Sequence, residues 1–370
     1  MLHIITHPLI GNFGGVLQAY ALQHAINSVG FEAKVCETIP DFARNEYYSP
    51  GKRLKWLQLK ECTKLTLGRM SYVPSFLKRK RVKCFKERFM IMSDKNDIKR
   101  EDTFIVGSDQ VWRLQYTRTY GDAKHFFLDF ATKAQRQRSI AYAASFGTDE
   151  WEGSPEETAS CRELLNDFKA ISVREQSGIS LCHDVFGVQA VQMPDPTLLL
   201  PAEEYGTLIK KSHTWHPAKQ YMAAYVLDPS PEKQRLLQET AHGQGLYLQE
   251  LMPHVNAEKI RDRFPMSPPQ WLRSIRDCEC LVTDSFHGCV FSIIFNRPFV
   301  CLGNAERGSS RFDTLLSTFG LEERILTTPT PQTVARLLAT PIDWEKVNEK
   351  IAAERARGLL FLQQHLPLMQ

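Results

Sequence analysis

The sequence contains no apolar run approaching the ~20 residues that a membrane-crossing helix requires. Any membrane contact is therefore expected to be peripheral. The opening MLHIITHPLIGN has neither the basic start nor the long apolar core of a secretory signal and leads straight into a strand. A cytoplasmic protein is expected, with contact at the inner face of the membrane left open. Paired CxxC spacing is missing as well. The nine cysteines (36, 62, 84, 161, 182, 278, 280, 289 and 301) are odd in number and scattered through apolar stretches. That argues against zinc ribbons and dithiol redox chemistry and for reduced thiols inside a core. A net charge of +4 is too small for a nucleic-acid binder, and no nucleic-acid partner is expected. The chain shows no GxGxxG fingerprint, no repeat of solenoid length and no clustered metal ligands, so neither a metal nor an organic cofactor is expected.

What remains is an ordinary globular composition, 43% hydrophobic and 24% charged, in 370 residues, more than one typical domain. Short apolar runs alternate with helical periodicity. LHIIT (2–6) precedes a glycine loop and then Ala19, Leu22, Ile26 and Val29 at helical spacing, with Gly30 placed to end the helix and AKVCETI following as a strand. Strand-like runs recur at 103–109, 139–147, 170–175 and 188–193. After a proline-bearing stretch with few periodic apolar positions near residue 200, the alternation restarts with QYMAAYVLD and continues to PFVCLG. The expectation is an α/β protein of two Rossmann-like domains with a central cleft, residues 1–200 and 201–345, and a last helix over 346–370 packing back across both. Between about 50 and 100 the pattern reads as a basic helical insertion. Val82, Phe85 and Phe89 share a face, while Lys78, Arg79, Lys80, Arg81, Lys83, Lys86 and Arg88 crowd the rest. A solvated helix accounts for it, and docking on anionic lipid is the alternative.

Several loops carry residues suited to chemistry. GNFGG (11–15) places Asn12, Gly14 and Gly15, with Gln18 a turn later, where backbone amides can approach an anion or a sugar; a tight turn explains it equally well. GSDQVW offers Asp109, Gln110 and Trp112 for hydroxyls and sugar stacking, against the plainer reading of a turn aspartate with a core tryptophan. ISVREQSG delivers Arg174 and Glu175 at a strand end, either a clamp for phosphate or carboxylate or a surface ion pair. PDPT holds Asp195 rigidly between prolines. VTDSFHGCVFSIIF is the most telling: a strand ends in Thr283, Asp284 and Ser285, and His287 and Gly288 open an apolar helix. RGSSRF adds Arg307, Ser309, Ser310 and Arg311 ahead of another helix, an anion site or a cap.

In this order, GNFGGVLQAYALQ, FIVGSDQVW, IAYAASFG, ISVRE, PDPTLLL and TDSFHG closely resemble the polysaccharide pyruvyl transferase family, from about residue 10 to about residue 320. The resemblance implies a GT-B-like pair of domains, the first on the acceptor side and the second holding phosphoenolpyruvate, which serves as co-substrate. The implied reaction moves the enolpyruvyl group onto two hydroxyls of a hexose as a cyclic ketal and releases phosphate. Its acceptor is a surface polysaccharide, capsule or exopolysaccharide, or a precursor, with a lipid-diphosphate-linked form open. By the same resemblance His287 is the active-site histidine and Arg174 contacts the donor anion, with Arg311, Ser285 and Gly288 beside it. Ser285 stands where some relatives carry arginine. For the base, Asp109 is the first choice and Asp195 the second; Asn12, Gly14, Gly15, Gln18, Gln110 and Trp112 are the acceptor candidates. A GT-B-type nucleotide-sugar glycosyltransferase and a non-catalytic glycan-binding relative are the alternatives, because fold does not settle function.

Overall fold

The computed structural model describes residues 1–36, 73–94, 97–121, 123–215, 220–253, 264–303 and 310–367. The first part of the insertion, Cys62, Arg307 and Ser309 lie outside the described residues. All strand pairings among those residues are parallel, so each return needs a crossover, and helices supply most of them. In the first unit β1 (Leu2–Ile5), β2 (Ala33–Cys36), β3 (Met92–Ser93), β4 (Thr103–Val106), β5 (Ile140–Ala144), β6 (Ala170–Val173) and β7 (Val191–Gln192) form one sheet, ordered β3-β2-β1-β4-β5-β6-β7. In the second, β8 (Tyr221–Tyr225), β9 (Tyr247–Glu250), β10 (Cys280–Thr283), β11 (Phe299–Leu302) and β12 (Ile325–Leu326) are ordered β12-β11-β10-β8-β9. The central strands LHII, TFIV, IAYAA, YMAAY, CLVT and FVCL are buried at every position, as sheets covered on both faces require. The fold is therefore α/β, with two Rossmann-like units.

Strand order reverses between β1 and β4 in the first sheet and between β8 and β10 in the second. In open parallel sheets these switch points, at the carboxyl ends of the strands, are where ligands bind.

The first helix, α1 (Phe13–Ser28), has 13 of its 16 residues buried, which is why it carries no clean polar face. It packs against the turn Pro196–Leu199 and, in the second unit, against the helix Pro268–Arg276. One apolar cluster accordingly runs from Ile4 and Leu17 through Leu198 to Trp271, Phe291 and Phe361. The last helix, Trp344–His365, lies on the same 196–199 turn and also meets α1 and the helices Phe286–Ile294 and Ser310–Phe319.

Some local expectations change. The stretch after residue 200 contains a helix, Ala202–Lys210, that buries Tyr205, Leu208 and Ile209 at helical spacing between flanking breakers. The run 188–193 yields only the short strand β7 at the sheet edge.

Candidate active site

The two switch points face each other. The loop after β1 leads into α1, the loop after β4 carries Asp109, and the loop after β10 leads into the helix Phe286–Ile294. A Cβ on Gly14 would lie 2.1 Å from His287 Nδ1, so only glycine lets the start of α1 press against the imidazole. Asp109 adopts a left-handed conformation (φ 70°), costly for a residue with a side chain. Its carbonyl accepts from Val111 N (2.8 Å) and Ser145 N (3.1 Å), which holds that turn in place. Across from it, Asn12 Nδ2 donates to Asp109 Oδ2 at 3.3 Å, and Gly15 leaves room for the pair.

A buried charge cluster fills the junction. Arg174 Nη1 donates to Asp195 Oδ2 at 2.8 Å, while Nη2 lies 3.6 Å from Asp109 Oδ1. Arg174 is 3% exposed, and its Nε and Nη2 make no hydrogen bond among the described residues. Burial opposes its charge, but Asp195, Asp109 and Glu175 outweigh burial and raise its pKa. Its guanidinium carbon sits 4.5 Å from the centre of the Phe286 ring. Asp195 Oδ1 accepts from Thr197 N (3.0 Å) and Thr197 Oγ1 (2.7 Å). His287 Nε2 lies 3.6 Å from Asp195 Oδ2, too long for a hydrogen bond, and has no other partner among the described residues. Burial would raise the Asp195 carboxyl, but His287, Arg174 and Thr197 hold it well below the usual carboxylate range. Burial likewise would raise Asp109, and Arg174, His7, His287 and Arg311 together hold it below its ordinary value. Arg311 is buried, and its pKa is pushed down to about 10 by that burial, with Arg174 adding to the effect.

The structure thus brings Asn12, Gly14, Gly15, Asp109, Arg174, Asp195, His287 and Arg311 together, from both units. Ser285 caps the helix that carries His287, its Oγ accepting from Gly288 N at 3.4 Å, so that hydroxyl and that amide are engaged. A Cβ on Gly288 would lie 2.4 Å from Thr283 Oγ1; the glycine serves the close approach of helix to strand. Two acceptor candidates are corrected. Trp112 is 1% exposed and stacked on Phe127 (centroids 5.4 Å apart), with its N–H bonded to Phe126 O, so it cannot offer a face to a sugar. Gln18 is fully buried; its amide donates to Thr6 Oγ1 and Gly15 O and accepts from Ser108 N, tying α1 to the ends of β1 and β4. Gln110 is also mostly buried, its Oε1 accepting from Arg113. The Arg174–Glu175 surface pair is excluded too. Glu175 is buried and its Oε1 accepts from Ser145 Oγ, Phe146 N and Gly147 N, locking the end of β5 to the end of β6.

Two residues of the cluster escaped the sequence reading. Phe286 hides among apolar neighbours in SFHGCVF, and its ring stands beneath Arg174. His7 follows β1 at the switch point, and its position alone was the available signal; burial lowers its pKa while Asp109 opposes that. No group of His, Cys, Asp and Glu suited to a metal ion occurs among the described residues.

Residues 12–306 match the family model for polysaccharide pyruvyl transferase, and the chain belongs to that family. A search of curated proteins found no match. Among solved structures the chain is similar to the glycotransferase of kitacinnamycin (13% identity, 99% of each chain, TM-score 0.49). It is also similar to a UDP-glucosyltransferase from Polygonum tinctorium (12% identity, 99% of this chain and 98% of that one, TM-score 0.44). A third is the N-terminal domain of trehalose-6-phosphate phosphatase from Candida albicans (10% identity, 99% and 96%, TM-score 0.45). These likenesses are too distant to carry a function.

Proposed function

We propose that the protein transfers the enolpyruvyl group of phosphoenolpyruvate to two hydroxyls of a hexose as a cyclic ketal, with Arg174 binding the donor and His287 as general acid. The observation that carries this reading is the buried Arg174, whose Nε and Nη2 lack hydrogen bonds among the described residues at the same junction where His287 Nε2 lacks one. Buried donors left unmade are costly, and a carboxylate or phosphate of the donor would satisfy them as charge-assisted bonds. Arg311 adds a second cation, its guanidinium carbon 5.8 Å from the centre of the same Phe286 ring.

The chemistry follows from the donor. A proton from His287 goes to the methylene carbon, which becomes the methyl group, and the adjacent carbon gains oxocarbenium character. A sugar hydroxyl attacks that carbon and gives up its proton, phosphate leaves with its bonding pair, and the second hydroxyl closes the ketal, its proton leaving with the phosphate. Asp109, slightly exposed at the left-handed turn, is the carboxylate available to the first hydroxyl. Asp195 is saturated by Arg174 and Thr197, so it serves to hold Arg174 and face His287 rather than as base. Arg174, Asp195, Phe286 and Arg311 line one small cavity of about 20 Å³, room for about one water.

The test is phosphate release from phosphoenolpyruvate across a panel of hexose-containing acceptors, with UDP-, GDP- and CMP-sugars as competing donors. Phosphate release that depends on the acceptor, with an acid-labile pyruvyl group on that acceptor, is expected. An acceptor that gains a sugar unit instead identifies a glycosyltransferase, and saturable sugar binding without turnover identifies a glycan-binding protein.

A further inference from the structure

We infer that the helix α2 (Val73–Phe89) is a docking surface for an anionic lipid bilayer, set at the rim of the cleft. Seven residues between Lys78 and Arg88 are cationic and one, Glu87, is acidic, so this helix carries +6. The whole chain carries +4, and the rest is therefore net negative. The basic charge of the protein is local, not general.

Burial fixes how the helix lies. Val82 and Phe85 are buried, whereas Phe76, Arg79, Lys80, Lys83 and Arg88 are exposed. Phe76, Lys80 and Lys83 fall at i, i+4 and i+7, a single outward stripe opposite the buried one. Phe76 is 68% exposed, more than any other large apolar side chain among the described residues. A phenyl ring standing clear of the surface beside cations is the pattern of a helix in a membrane interface, where headgroups attract the cations and the ring enters the acyl boundary. Beside the stripe a groove of about 390 Å³ has an apolar floor of Leu77, Phe85 and Pro269 and a cationic rim of Lys80, Arg81 and Arg88. That arrangement fits lipid phosphate above hydrocarbon. A nucleic acid would use the cations and leave Phe76 and the apolar floor without a role.

The inner side of the same helix reaches the site. Lys78 packs its stem 3.7 Å from where a Cβ of Gly11 would lie and sets its ammonium 4.9 Å from the centre of the Phe13 ring, next to Gly14 and His287. Arg81 donates to Pro265 O, ahead of the second unit's helix Pro268–Arg276. Docking by α2 therefore brings the cleft to the membrane surface, where a lipid-linked acceptor would be presented.

The test is co-sedimentation of the full chain with vesicles of phosphatidylglycerol in phosphatidylcholine and of phosphatidylcholine alone, at low and high salt. Binding to the anionic vesicles that salt weakens is expected. Each cation adds about fivefold to the partition, so Lys80→Gln with Lys83→Gln should weaken it about 25-fold and the double reversal to Glu by on the order of 100-fold or more. Phe76→Ser should weaken what binding remains at high salt. Melting temperatures are measured beside each, and the glutamine pair replaces the reversal if the latter unfolds. Equal binding to neutral and anionic vesicles, or binding to neither at low salt, overturns the inference. So does retention on duplex or single-stranded DNA without vesicle binding. The assay counts bound protein and needs no turnover, so its outcome is separate from that of the proposed reaction.

Discussion

Arg174 has one nitrogen committed to Asp195 and two nitrogens without hydrogen bonds among the described residues, and that division decides what its replacement does. Lysine keeps the charge and can keep the Asp195 contact, but it cannot reproduce the planar fork. Arg174→Lys should therefore raise the donor KM, by a factor set by the roughly 1.5–3 kcal/mol that a bond to a charged group contributes. An unchanged KM would assign Arg174 to the ion pair alone. His287→Ala should slow the chemical step about 10² to 10⁴-fold, the usual contribution of a general acid, with the melting temperature kept. Single-turnover rates at saturating donor measure it, and turnover within a few fold of the parent would move the acid elsewhere. Asp195 sets an acid limb of stability. Its folded pKa is depressed, so its contribution is present above the unfolded value of about 4 and is lost as pH falls through the lower folded value. Asp195→Asn should be less stable at neutral pH yet lose less on acidification below about pH 4. Denaturant titrations at a series of pH values give both slopes, and parallel curves would remove Asp195 as the titrating group.

The elements explain how far the sequence could be read. Both switch-point loops were legible because a buried parallel strand is a short apolar run and the polar residues after it have few places to go. Arg174, Asp109 and His287 stand in such positions, whereas Asp195 follows the short edge strand β7 and was marked by its flanking prolines. Side-chain direction was not legible. Trp112 and Gln18 sit one turn or less from site residues but face the core, a difference set by tertiary packing and not by spacing. Nor could the sequence show that α1 is an interface between the units as well as a crossover; only the near-complete burial of the helix reveals that. Its first turn is the sharp test. A Cβ at Gly14 would overlap His287 Nδ1, and either the ring turns or the helix withdraws. Gly14→Ala should lower turnover by about tenfold or more, since misplacement by about 1 Å is enough for a larger loss, while overpacking costs about 1–3 kcal/mol. Comparing kcat with the melting curve separates the two. Loss of stability with full turnover would mean that the contact does not position the ring.

At the scale of the molecule the two units do not stand apart, because the helix Trp344–His365 lies on the Pro196–Leu199 turn of one and on helices of the other. Asp195 immediately precedes that turn, and Thr197 within it holds the Asp195 carboxylate. The last helix therefore bears on the site, and its Glu354 lines the same small cavity as Arg174 and Arg311. It packs closely on that turn at Gly358, where a Cβ would lie 2.5 Å from both Leu199 Cδ2 and Tyr142 Oη. Two effects compete in Gly358→Ala. Replacing glycine inside a helix gains about 0.5–1 kcal/mol, whereas overpacking a filled contact costs about 1–3 kcal/mol. The contact is closed on two sides, by an apolar methyl and by a buried hydroxyl, so the cost wins and the variant should melt below the parent. Because one apolar cluster joins both units, the protein should still unfold in a single transition, seen alike by near-ultraviolet and far-ultraviolet circular dichroism. Displacing the turn should also loosen the Asp195–Arg174 pair and raise the donor KM, although no donor-binding residue has changed. A variant that melts higher than the parent, or melts lower with the donor KM untouched, would show that the last helix clasps the units without bearing on the site.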